Sequence, residues 1–178
     1  MRAMFEIRVT QNGKSVFSKK HFKKGDIVMK FFGKLFSGDE LPNPYDSVED
    51  HYLQVGKKLY LGPSGSFDDF VNHSCDPNTA LVIEHVGEPY IKAIKDVLPE
   101  DEITWDYSTS IDEASRASQL KGWEMRCLCG SQKCRGIIGD FRFLPEDIKQ
   151  KYFNEDIFPT YIKEQIVAEA GGILHRYD

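Results

Sequence analysis

The sequence predicts a mainly β domain of the α+β class, made of several small sheets and closed by C-terminal helices. Three observations carry this expectation. The first 107 residues hold many short segments of alternating apolar and polar character, separated by Gly, Pro and Asp turns. Three of the four cysteines then crowd into "CLCGSQKC", Cys127 to Cys134. After them, residues 145–170 switch to helical spacing.

Each element follows from its local pattern. "MFEIRV", residues 4–9, alternates like a strand. "SVFSKKHFKKGDIVMKFFGKLF" reads as short strands broken by the Lys23–Asp26 turn. A polar loop with two prolines, "SGDELPNPYDSVED", follows. "HYLQVGKKLYLG" predicts a hairpin turning at Gly56-Lys57-Lys58, and "NTALVIEHVGEPYIKAIKDV" another turning around Gly87. "DEITWDYS" is a further short strand, and the polar stretch 110–122 fits a helix or a mobile loop. "LPEDIKQKYF" starts a helix with Pro145 near the first position and acids in the first turn. "PTYIKEQIVAEAGG" continues as a helix with Ile162, Ile166 and Ala170 on one face and Gly171 as its stop. Phe153, Ile157, Phe158 and Ile162 need burial, so the tail is expected to pack on the domain, the alternatives being a dimer interface or a lid.

With 178 residues, the chain is long enough for one domain with a real core. It carries no apolar run of membrane-spanning length and no signal peptide, which points to a soluble, intracellular protein. Its net charge of −5 argues against a dedicated nucleic-acid binder and suits a basic partner. Acidic clusters stand at Asp46, Glu49 and Asp50, at Asp68 and Asp69, and at Asp112 and Glu113. The plainest reading of each is a solvated surface. The functional alternative is a groove in which the 37–50 loop, Asp68 and Asp69 favour basic sequences.

In an intracellular chain the cysteines read as a metal site rather than disulfides. Cys127, Cys129 and Cys134 have the short spacings that let three thiolates face one point, and four thiolates suffice for a tetrahedral zinc. Cys75, 52 residues before Cys127, is either the fourth ligand or a small buried hydrophobe. A Ser-His hydrolase reading of His73-Ser74 fails, because neighbours in an extended segment point to opposite faces.

Three ordered motifs go further. Asn72-His73-Ser74-Cys75 with Pro77-Asn78, then Asp101 to Tyr107, then Cys127, Cys129 and Cys134 resemble the signature of the SET-domain protein lysine methyltransferases, over roughly residues 4–140. The "DDF" before the first motif and "WEMRC" before the cysteines are similar to the short, bacterial-type SET proteins. The resemblance implies a SET fold with a knot-like core over residues 1–120, a post-SET zinc module over 121–140 and a helical extension over 141–178. It implies methyl transfer from S-adenosylmethionine, leaving S-adenosylhomocysteine, to a lysine of a basic protein or peptide. Tyr107 then carries catalysis and Trp105 walls the lysine channel. Lys14, Ser15, Asn72, His73, Tyr107, Trp123 and Leu128 surround the cofactor, Asn72 through its side chain and His73 through its backbone. Cys75 joins Cys127, Cys129 and Cys134 on a structural zinc.

This chain departs from the family pattern at Ser15 (second glycine of Gly-x-Gly), Phe31 and Lys34 (Tyr and Glu of Tyr-x-Gly-Glu), Asp69 (an arginine) and Trp105 (Tyr or Phe). These positions bear on cofactor affinity and on how many methyls are added. The rival from another class is a catalytically weak or inactive zinc-bearing module that binds peptides.

Overall fold

Short apolar runs cannot build one broad sheet, and the computed structural model holds five small ones. It describes residues 4–41, 51–85, 87–115 and 122–174. The strands are β1 (Phe5–Thr10), β2 (Gly13–Ser18), β3 (Ile27–Lys30), β4 (Leu35–Ser37), β5 (Leu53–Gly56), β6 (Leu59–Leu61), β7 (Asn72–His73), β8 (Thr79–Val82), β9 (Tyr90–Ala93), β10 (Thr104–Trp105), β11 (Met125–Arg126) and β12 (Ile137–Ile138). Helices α1 (Glu146–Asn154) and α2 (Thr160–Leu174) follow. β1 pairs with β2, and β11 with β12. The three-stranded sheets have orders β3-β9-β8 and β4-β6-β5. All these pairs are antiparallel, and β7 with β10 is parallel.

The hairpins expected at Lys57-Lys58 and around Gly87 are present as β5–β6 and β8–β9. Lys58 takes φ 51 in the first turn and Gly87 φ 86 in the second. In β1 the alternation runs opposite to a buried apolar face. Val9 is 83% exposed, while Glu6 and Arg8 join Lys19 and Glu100 in an ion-pair cluster. The Arg8 guanidinium lies 4.5 Å from the Phe17 ring centre, so the charged side is the covered one.

The main core gathers Val16, Leu81, Ile91, Val97, Ile103 and Trp105 from three of these sheets and their connections. The tail builds a second core: Phe141, Leu144, Tyr152, Ile157, Phe158 and Ile162 close over Ala80 of β8. Pro145 caps α1, its carbonyl accepting from the Lys149 N–H at 2.9 Å, and Glu146 and Asp147 complement the first turn. Two expectations need correction. Ala170 is exposed, and α2 passes Gly171 to end at Leu174. Glycine lowers helix propensity by about 1 kcal/mol but does not itself end a helix. The stretch 110–122 forms a short 3-10 turn at Glu113–Ser115, and its residues 116–121 lie outside the described ones, as does the acidic part of the 37–50 loop.

Gly33 shows how tightly the β4-β6-β5 sheet meets the main core. It has φ 152, and a Cβ there would stand 2.0 Å from the Gly62 carbonyl oxygen, a backbone atom that cannot swing aside. Gly33→Ala is therefore expected to cost roughly 1–3 kcal/mol, read as a lower urea midpoint. An unchanged midpoint would show that the two strands can separate freely.

Candidate active site and metal centre

The site forms where the Asn72-His73-Ser74-Cys75 segment lies alongside the Trp105–Tyr107 segment. β7 and β10 pair Asn72 with Thr104 and His73 with Trp105, and the Ser74 N–H donates to the Trp105 carbonyl at 3.1 Å. Asn78 fixes β10 from the other side. Its amide donates to the Glu102 carbonyl at 2.8 Å and its oxygen accepts from the Thr104 N–H at 3.0 Å. Side chains alternate along an extended segment, so Asn72 and His73 face different neighbourhoods.

Tyr107 is held at three points. Its hydroxyl donates to the Val71 carbonyl at 2.9 Å, its N–H donates to His73 Nδ1 at 3.2 Å, and its ring centre lies 4.9 Å from that of Trp105. Trp105 itself is buried in the main core. Because His73 Nδ1 accepts a backbone proton, the neutral ring carries its own proton on Nε2. Nε2 lies 3.2 Å from Cys75 Sγ and donates to it. Burial keeps this imidazole neutral, lowering its pKa to about 4; the Asp106 carboxylate opposes the shift and Arg135 adds to it. His73 thus links a cysteine to the backbone of Tyr107.

Asp106, between these aromatics, is fully used. Arg135 grips it bidentately at 2.7 and 2.8 Å, Tyr152 donates to it at 3.2 Å, and the Ser108 N–H donates at 3.2 Å. The last bond caps the 3-10 turn Tyr107–Thr109. Sequence reasoning singled out none of Asp106, Arg135 and Tyr152. The available signal was position: Asp106 separates Trp105 from Tyr107, and Arg135 follows Cys134.

The cysteines converge. Ligand atoms of His73, Cys75, Cys127 and Cys129 lie within 4.8 Å of one another. Cys75 and Cys127 Sγ are 3.7 Å apart and unbonded. A tetrahedron with zinc–sulfur bonds of about 2.3 Å has edges of about 3.8 Å, so this spacing fits two ligands of one zinc. Cys134, more exposed, has its Sγ 3.7 Å from the Cys127 carbonyl. Burial pushes the Cys75 thiol up to about 11 and Cys127 higher still. Burial acts the same way on Cys129, but hydrogen bonds from the Cys75 and Ser131 backbone and from neighbouring thiols outweigh it and bring Cys129 down to about 7. The donor chemistry suits zinc. The close group thus holds His73 with three of the four cysteines, and Cys134 stands outside it.

The residues expected around the cofactor fall into two groups. Asn72 Nδ2 donates to the Lys14 carbonyl at 3.1 Å, Ser15 Oγ at 2.8 Å and Glu102 Oε1 at 3.3 Å. Ser15 is wholly buried and also meets Thr10 Oγ1 at 3.0 Å, while the Lys14 ammonium lies 5.0 Å from the Phe70 ring centre. This corner is rich in acceptors, which suits an ammonium group. Trp123 packs against Cys75, Cys127 and Ile138, and exposed Leu128 lines a pocket of about 340 Å³ with Gln11, Gly130 and Ser131.

Asp68 and Asp69 do not form an open acidic groove. Asp68 is buried and accepts from the Phe32 N–H at 2.9 Å and the Ser64 hydroxyl at 2.6 Å. Asp69 accepts from the Ser64 and Gly65 N–H groups at 2.9 and 2.7 Å. The tight 64–66 loop needs acceptors for its amides, and these carboxylates serve it. Asp68→Asn is expected to cost about 1–3 kcal/mol while leaving the KM for a basic peptide unchanged. A raised KM at unchanged stability would return Asp68 to the groove.

The SET domain family model matches residues 13–108, more than half of the chain. The chain belongs to the SET-domain family. This SET-domain chain is 28% identical over 168 residues to "Histone-lysine N-methyltransferase, H3 lysine-9 specific KMT1" of Fusarium mangiferae, covering 74% of itself and 47% of that protein. It is 34% identical over 118 residues to the H3 lysine-9 specific dim-5 enzyme of Neurospora crassa, covering 58% of itself and 34% of the relative. It therefore spans about half or less of the length of these relatives. The crystal structure of KRYPTONITE in complex with mCHH DNA, H3(1-15) peptide and SAH shares its fold with a TM-score of 0.60 at 19% identity, over 78% of this chain and 30% of that one. The match of small sheets and helices establishes the SET fold. Among the described residues, no helix is long and apolar enough to cross a membrane.

Proposed function

We propose that this SET-domain chain is an S-adenosylmethionine-dependent protein-lysine methyltransferase acting inside the cell on a basic protein segment. The single observation that carries the reading is Tyr107: a half-buried hydroxyl anchored on the Val71 carbonyl, beside Trp105 and one residue-pair from Asn72. We read residues 1–120 as the catalytic domain, 121–140 as the zinc module with Cys75, Cys127, Cys129 and Cys134 as ligands, and 141–178 as a supporting extension. Asn72, Ser15 and Lys14 hold the amino-acid end of the cofactor, the His73 backbone meets the edge of its base, and Trp123 and Leu128 cover that base. When bound, the cofactor supplies an electrophilic methyl group on a sulfonium.

The chain's own residues have to deliver a neutral amine. At pH 7 only about one lysine in two thousand is neutral, a cost of roughly 4.6 kcal/mol from a pKa near 10.4. Trp105 and Tyr107 wall a narrow entry that excludes water and disfavours the ammonium form. The Tyr107 hydroxyl donates its proton to the Val71 carbonyl, and that bond fixes the oxygen in place to orient an incoming amine. An ordinary tyrosine titrates near 10, so this group aligns the amine rather than acting as a strong base.

Purified protein incubated with methyl-labelled S-adenosylmethionine and histone proteins is the direct test; histones are the probe because the relatives are named for them. Labelled lysine by mass spectrometry and stoichiometric S-adenosylhomocysteine are expected. Zinc-loaded, folded protein that neither binds S-adenosylhomocysteine nor labels any basic protein would overturn the reading.

A further inference from the structure

We propose that the two C-terminal helices grip both ends of the turn carrying Tyr107, making Tyr152 and Tyr161 positioning residues for the methyl transfer; this rests on the methyltransferase reading above. The turn runs from its cap Asp106 through Tyr107–Thr109 to Ser110. At its start, Tyr152 of α1 donates its hydroxyl to Asp106 Oδ2 at 3.2 Å. At its end, Tyr161 of α2 donates to the Ser110 carbonyl and lies 3.1 Å from the Gln54 carbonyl of β5. The two tyrosines come from different helices and reach residues four apart. Tyr152 packs in the tail's own core, 5.9 Å from Phe158, and Tyr161 bridges both cores.

The tail and the cysteine module meet on one carboxylate. Arg135 holds Asp106 from the module and Tyr152 holds it from α1, so two distant segments fix the backbone that enters Tyr107. Burial, together with the adjacent Asp106 charge, raises the Tyr152 phenol above its ordinary value, so it keeps its proton and donates. Asp106 has a second strong partner in Arg135, so removing the Tyr152 hydroxyl loosens the carboxylate without stranding it. A small displacement at a reacting group is enough to slow a reaction that depends on alignment.

The test uses the full, zinc-loaded chain with Tyr152→Phe, Tyr161→Phe, the double variant, and Phe158→Leu as a control that perturbs the same core without touching the turn. Each single variant is expected to lower kcat about threefold to tenfold and the double about thirtyfold, within the range that misplacement produces. KM values for cofactor and peptide should stay within about twofold and zinc at about one per chain. Amide exchange of residues 107–110 should accelerate at least tenfold in the double variant, while β3, β8 and β9 stay protected. Phe158→Leu should lower Tm yet keep kcat. Unchanged kcat in the double variant, or a loss that Phe158→Leu reproduces at equal Tm, would overturn the proposal. Wild-type protein that transfers no methyl would sink the methyltransferase reading alone; the exchange data then still decide the grip, and unaltered exchange at 107–110 would end it.

Discussion

Tyr107→Phe is expected to lower turnover by on the order of a hundredfold, the scale of losing one positioned polar group, with folding and zinc content almost unchanged. Phenylalanine keeps the ring that packs 4.9 Å from Trp105 and 5.4 Å from His73, and the backbone N–H that donates to His73 Nδ1. What disappears is one oxygen and its bond to the Val71 carbonyl. That carbonyl is then left to other donors, a modest stability loss of about 1 kcal/mol. Trp105→Phe should behave differently. Trp105 is buried in the main core, so this change costs stability as well as widening the wall beside Tyr107. Its signature is a changed number of methyls per lysine rather than a slower first transfer. Turnover, product distribution, Tm and zinc measured on the same samples separate the two. Near wild-type turnover by a folded Tyr107→Phe protein would remove the central residue of the proposed chemistry.

The parts of this protein that sequence makes legible are those whose signal is local. Hairpins at Lys57-Lys58 and Gly87, the acid-rich start of α1, and the Asn72–Cys75 segment all announce themselves within a dozen residues. Tyr107 draws notice in the sequence because it ends an ordered motif. The faces of β1 were not, since Ile7 and Val9 turn outward for a reason that lies at Lys19 and Glu100. Asp68 and Asp69 read equally well as surface acids or groove acids. Only the positions of the Ser64, Gly65 and Phe32 amides show that the loop consumes them.

Asp106 illustrates the limit more sharply. Its partners Arg135 and Tyr152 stand 29 and 46 residues away, and no periodicity or spacing joins them. A charge inside a quoted motif is easily passed over as part of the pattern. Buried charges are stable only when paired and hydrogen-bonded, so one bidentate arginine and two further donors explain how Asp106 can sit at 2% exposure beside a proposed catalytic residue. The same logic applies to Asp112 and Asp140, buried carboxylates that share Arg142.

Removing zinc is expected to have the largest effect of all, because it acts on two systems at once. Structural zinc sites carry on the order of 10 kcal/mol of apparent binding free energy, most of it spent holding the fold. Among the described residues the other supports of the cysteine segment are small: β11 and β12 are two residues each, and the cluster there buries Cys75, Cys127 and Ile138. If zinc holds this cluster, its removal leaves the close thiols of Cys75, Cys127 and Cys129 without a cation, and the Arg135 N–H bond to Cys75 Sγ at 3.3 Å loses a thiolate acceptor. Arg135 would then be free to leave Asp106, and His73 to release the Tyr107 N–H. Chelation should therefore abolish methyl transfer, at least a hundredfold, and unfold the module before the β3-β9-β8 sheet. Acid should act in the same direction. Burial raises the Cys75 and Cys127 thiols above their ordinary values, so protons compete with the metal increasingly as pH falls. Elemental analysis should give about one zinc per chain, and added zinc should restore both turnover and module protection. Cys75→Ser should weaken zinc retention, whereas Ser131→Ala, beside the cluster but outside the ligand set, should not. Protein purified without chelator and lacking any metal, or a Cys75→Ser variant with wild-type zinc affinity, would refute the four-sulfur site and detach the cysteine module from the alignment of Tyr107.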